Sequence, residues 1–108
     1  MSVNYADDIK RYQPNVDEKA VAAIVKHLGI ALKSADASLV SCSSKEELAT
    51  VRDSWLKKKL ALTDDDAKLD KLIGDVCATM KNETRKSRVT FYYLIAEKAG
   101  KLASLAGA

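Results

Sequence analysis

The sequence predicts an all-α fold: a single compact domain of about five helices, with two pseudo-repeated helix pairs as one arrangement of them. Three observations predict it. Apolar residues recur at intervals of three and four along most of the chain. Helix-start signals stand directly before these stripes. Short connections after Leu60 and Met80 make the last three helices antiparallel neighbours.

Taken in order, Tyr5, Ile9 and Tyr12 lie along one side of a first helix over 3–12. Pro14 ends it, because the residue before a proline is pushed out of helical geometry. Asn15 is the expected cap of a second helix over 16–28, with Glu18 completing a capping-box pattern, and Gly29 marks its end. Val21, Ile24, Val25 and Leu28 share one face. Residues 36–43 read as a connection in which Asp36 and the serines bond nearby backbone.

Ser43-Ser44-Lys45-Glu46-Glu47 offers two overlapping capping boxes, Ser43 with Glu46 and Ser44 with Glu47. They open a helix over 44–60 that buries Leu48, Val51, Trp55 and Leu56. Thr63 caps the next, over 64–81, whose first turn holds Asp64, Asp65 and Asp66, placed where the helix dipole favours anions. Leu69, Leu72, Ile73, Val76 and Met80 form its stripe. This stripe repeats the pattern of Val21, Ile24, Val25, Leu28 and Leu32, although any two amphipathic helices share such spacing.

The last helix, over 85–103, carries the only Phe, two of the four Tyr and the densest apolar run. A core of this size must be built on it. Tyr92, Ala96, Ala99 and Ala103 centre its apolar face, with Val89, Ile95, Leu102 and Phe91 beside them. Tyr93 and Leu94 fall off that centre and are expected to face a partner. Residues 104–108 read as a frayed tail of the single domain 1–108.

With 47% hydrophobic and 31% charged residues in 108, the chain can repay the entropy of ordering one core. The net charge of +3 is too small to imply nucleic acid by itself. Acids near the N-terminus, and the lack of a long apolar run, point to a soluble cytoplasmic protein without a membrane partner. Cys42 and Cys77 form no CxxC pair and are expected as free thiols.

Ser-Cys-Ser-x-Lys-Glu-Glu-Leu at 41–48, Trp-Leu-x-Lys-Lys-Leu at 55–60 and Phe-Tyr-Tyr-Leu at 91–94 resemble a bacterial family of small, all-helical, cytoplasmic proteins of unknown function. The resemblance spans nearly the whole chain. It implies a helical fold and a bacterial cytoplasmic setting, and it supplies no activity, cofactor or catalytic residue.

Chemistry-bearing residues are few. His27, the only histidine, falls opposite the apolar stripe of its helix with no nucleophile or orienting acid close in sequence. Asp64–Asp66 lack the spacing of a calcium loop. No cofactor or metal is expected. Cys77 reads as a small core hydrophobe, and Cys42, just before a helix, as a thiol whose pKa the dipole could lower.

Arg85, Lys86 and Arg88 break a local rule, since cations stand where the helix dipole disfavours them and two arginines share the apolar face. Pairing with acids of the preceding helix (Asp64, Asp65, Asp66, Asp70 or Asp75) is the favoured explanation. An external anion is the alternative. Lys57 and Lys58 read as solvated, or, beside the arginines, as a basic surface for nucleic acid. The expected function is a non-enzymatic interaction or regulatory domain that binds a protein or a second copy of itself. An anion or nucleic-acid binder and a small enzyme are less favoured.

Overall fold

Each amphipathic stripe forms a helix, and the computed structural model describes residues 5–12, 16–29, 39–40, 42–60, 62–63, 65–81 and 86–102. Helix α1 is Tyr5–Ile9 and α2 is Glu18–Leu28. Helix α3, Lys45–Thr50, runs straight into a π-helical segment, Val51–Lys59, so that the two make one continuous rod. Helices α4, Asp66–Thr79, and α5, Arg88–Lys98, complete the bundle. Among the described residues, one two-residue antiparallel ladder pairs Leu39 with Ser87 and Val40 with Lys86.

The starts of the helices follow capping chemistry, with two shifts from expectation. Asp17 caps α2, its carboxylate accepting from the Lys19 and Ala20 N–H groups at 3.1 and 3.2 Å. The expected cap Asn15, with Pro14, lies outside the described residues. Before α3 the Ser44 Oγ accepts from the Glu47 N–H at 3.2 Å, while the Glu47 carboxylate accepts from Arg88. Asp65, not Thr63, caps α4, accepting from the Lys68 N–H at 3.0 Å. Both changes put a carboxylate on an orphan donor. Gly29 closes α2 at φ +45°, a conformation that favours glycine.

The helix predicted over 44–60 changes pitch in its middle. Thr50 and Ser54 hydroxyls donate to the carbonyls four residues back, Glu46 and Thr50, at 3.0 and 2.7 Å. Such back-bonding competes with the α ladder. At the far end the Leu60 N–H reaches the Trp55 carbonyl, five residues back, at 2.9 Å. The wider turn brings Val51, Trp55, Leu56 and Leu60 to the core side together.

Helix α5 is the centre of the molecule, packed by α1, α2 and α4. All eight residues from Val89 to Ala96 are buried. This corrects the expectation for Tyr93 and Leu94, which are 0% and 6% exposed. A helix with a single neighbour has an outward face, but one surrounded on several sides has none. The Tyr93 hydroxyl instead accepts from the Asp17 N–H at 2.8 Å, tying α5 to the start of α2. Thr90, the one buried polar residue among those described, donates its hydroxyl to Asp8 of α1. The stripes of α2 and α4 both face α5, and Leu32 of the proposed repeat lies outside the described residues.

Candidate functional site

The rod formed by α3 and the π segment lies antiparallel to α4. Its register is read from three links: Cys42 meets Cys77, Arg52 meets Asp70 and Lys57 meets Asp66. Between the two runs a groove of about 380 Å³ is lined by Lys45, Leu48, Ala49 and Arg52 from the rod and Asp70, Ile73 and Gly74 from α4. Each set repeats at helical spacing, so each is one stripe of its element. Leu48, Ala49, Ile73 and Gly74 make an apolar floor. A Cβ built on Gly74 would meet nothing within 4 Å.

One end of the groove is closed by charge. Arg52 donates to Asp70 at 3.1 and 3.3 Å and to Asp53 at 3.1 Å, with Asp66 at 3.9 Å. Lys57 Nζ lies 2.6 Å from Asp66 and 3.6 Å from Asp53. Hydrogen bonds set the electrostatics: Arg52 and Lys57 are held more firmly protonated than usual, mainly by Asp53 and Asp66 respectively. Asp53 and Asp66 are held below the usual carboxylate range, mainly by Arg52 and Lys57. Lys57 is therefore exposed but paired, which corrects the reading of a merely solvated charge. Lys58 is exposed.

Beyond the other end, outside the lining, the two runs are joined covalently. Cys42 and Cys77 form a disulfide with Cα atoms 5.9 Å apart. This corrects the expectation of two free thiols, and with it the reactive-thiol reading of Cys42. The pair is separated by 35 residues and brought together only by the antiparallel register of two helices. Both cysteines are half-buried.

Arg88 occupies a separate cluster. Its guanidinium donates to Glu47 and, at 3.1 Å, to the Leu39 carbonyl, and lies 6.0 Å from the Tyr92 ring centroid. Glu47 is an internal carboxylate, as favoured, but it belongs to α3 and lies outside the set of acids anticipated for the pairing. Burial is the main cause that pushes the Tyr92 hydroxyl pKa up, opposed by its bonds to Arg88 and Ser54. The Tyr92 ring packs against Trp55 at 4.7 Å, and Trp55 against His27 at 5.0 Å. The Trp55 indole N–H donates to the Tyr92 carbonyl at 3.3 Å. His27 is thus exposed yet stacked on a buried indole. Arg85 and the Lys86 side chain lie outside the described residues.

The structure does not bring the sequence-predicted site residues into one place: Arg88 serves α3, Tyr93 and Leu94 serve the core, and Lys57 and Lys58 lie on the π segment. The groove itself was missed. One signal for it was present, an isolated glycine, Gly74, inside the cleanest apolar stripe, where a helix loses stability unless space is needed. Among the described residues no helix is long and apolar enough to cross a membrane, and no three metal-ligating side chains converge.

The model of a family described as "Protein of unknown function (DUF2853)" matches residues 4–103. No curated protein matches the chain.

Proposed function

The chain belongs to the DUF2853 family, and from the geometry above we propose that it is a non-enzymatic interaction domain of the bacterial cytoplasm whose α3–α4 groove receives an amphipathic helix of a partner protein. The observation that carries this reading is the open apolar floor of Leu48, Ala49, Ile73 and Gly74 between two parallel ridges of side chains. A trough of this volume accepts a few side chains of one helical stripe, the mode in which spaced apolar anchors fill a hydrophobic groove. Charge selects the partner's flanks. Lys45 stands exposed at the disulfide end, so an acidic residue beside the partner's apolar stripe is favoured there.

The test is an NMR titration of the intact protein with a synthetic amphipathic peptide carrying Leu at three- and four-residue spacing, flanked by Glu. The expected result is saturable shifts of the Leu48, Ala49, Ile73 and Gly74 amides, lost in Gly74→Arg, whose side chain fills the trough. Shifts confined to other faces, or none, overturn the reading. Light scattering reads the case of a second copy: a concentration-dependent dimer that Gly74→Arg abolishes would make the partner the protein itself.

A further inference from the structure

We propose that the Cys42–Cys77 disulfide is a reversible redox clamp on the groove, cut by a dithiol reductant and restored by exchange with a small-molecule disulfide, which takes up the two electrons and two protons. The inference rests on the groove being the binding site and names its regulation.

The groove has two walls of unequal anchorage. Helix α4 buries Leu69, Ile73 and Val76, and the π segment buries Val51, Trp55 and Leu56. Helix α3 between the disulfide and the π segment buries none of its own residues. Leu48 and Ala49, which supply half the floor, are only partly covered. Helix α3 is held by its continuity with the π segment at one end, and by Leu48 at the margin of the core and the Glu47–Arg88 pair along its length. Before its start it is held by the disulfide and the Leu39–Val40 ladder. Arg52 and Asp70 close the opposite end and are independent of the sulfurs. Cutting the disulfide therefore removes the covalent tie between the α3 wall and α4 at the Lys45 end and loosens that wall, while α4, the π segment and the α5 core stay packed.

The chemistry balances within thiol–disulfide exchange. One thiolate of the dithiol attacks one protein sulfur, breaking the Cys42–Cys77 S–S bond, so that a mixed disulfide forms and the other cysteine leaves as a thiolate. The dithiol's second thiolate then resolves the mixed disulfide, leaving the reductant as a cyclic disulfide and placing two electrons and two protons on Cys42 and Cys77. Both residues are half-buried at the margin of the core, and the clamp requires that a small dithiol reach them without unfolding of that core. In a cytoplasmic setting a disulfide is characteristically transient and used for sensing or catalysis. The oxidised groove is pre-organised and binds more tightly than the reduced one, whose α3 wall must be ordered again on binding.

The experiment uses the full chain, oxidised and after dithiothreitol treatment in native buffer, with thiols counted by alkylation and mass spectrometry. Amide exchange and titration with the same peptide are then followed. Dithiothreitol is expected to free both thiols without denaturant. After reduction, exchange at Leu48 and Ala49 should lose its dependence on low urea, the mark of a local opening, while exchange at Phe91 and Ile95 of α5 should rise with urea as global unfolding does. Peptide affinity should fall about tenfold and recover on reoxidation. Cys42→Ser/Cys77→Ser should match the reduced protein. Because that variant could fold poorly, reversible reduction of the native sequence is the deciding measurement. A disulfide reduced only in denaturant, or exchange at Leu48 and Ala49 that follows urea as steeply as at Phe91 and Ile95, overturns the clamp. Equal peptide affinity in both redox states overturns the control and leaves the groove reading standing. Binding in neither state overturns the groove reading, and the exchange comparison then judges the clamp alone.

Discussion

Breaking the disulfide should lower the unfolding free energy by about 3.8 kcal/mol. The cross-link closes 35 residues, and for such a loop the chain-entropy relation removes about 12.7 cal/mol/K from the unfolded ensemble, ~3.8 kcal/mol at room temperature. The unfolding entropy of a chain of 108 residues is about 0.23 kcal/mol/K, so the loss corresponds to a fall in Tm of about 17 °C. Thermal unfolding followed by circular dichroism, with and without dithiothreitol, measures it. The control is Cys42→Ala/Cys77→Ala, which should begin near the reduced wild-type Tm and ignore the reductant. A wild-type shift below about 5 °C would refute the entropic reasoning. An equal shift in the variant would show that the reductant acts elsewhere.

Gly74→Ala should stabilise the protein by about 0.5–1 kcal/mol, because a helix gains from losing a glycine, and the new methyl meets nothing within 4 Å; a lower midpoint in urea would show that the site is not open. Trp55→Phe should cost about 2–3 kcal/mol by urea denaturation, since it removes the bond to the Tyr92 carbonyl and leaves space beside a fully buried ring. Glu47→Gln should cost about 1–3 kcal/mol, while Glu47→Leu/Arg88→Met should cost clearly less than its two single changes summed. Additivity in that cycle would mean that the pair, 12% and 27% exposed, is not coupled.

Burial raises the pKa of both Tyr92 and Tyr93. Their unfolded value is about 10. Between that pH and their folded values the unfolded state binds fewer protons, so stability is intact below pH ~10 and falls as pH rises through the folded pKa values. Phenolate absorbance should show Tyr92 and Tyr93 ionising late, with unfolding. Reversible ionisation of all four tyrosines near pH ~10 in the folded protein would refute this.

Local chemistry was the most legible part of the chain. Ser44 and Glu47 stand three residues apart, and their bond needs nothing beyond that spacing. Of the alanines that centre the apolar face, Ala96 is buried in the core run and Ala99 is half-buried at the end of the helix, while Ala103 lies outside the described residues. The α5 run was rightly central, but a helical wheel assumes one neighbour and so put Tyr93 and Leu94 outside. The pitch change at Thr50 and Ser54 was missed because serine and threonine read as neutral mid-helix residues until their hydroxyls are seen on the preceding carbonyls.

By itself the sequence determined the helical class, the approximate helix spans and the place of α5 in the core, because propensity, capping and apolar period act over a few residues. The tertiary structure alone decided which residues face each other across the α3–α4 hairpin. That register joins Cys42 to Cys77, pairs Arg52 with Asp70 and leaves a trough over Gly74, and the docking of α5 against α3 gives Arg88 to Glu47. Contacts between residues 18 to 41 positions apart depend on how whole helices dock, and docking is set by the sum of buried surface across the core, which no short stretch encodes.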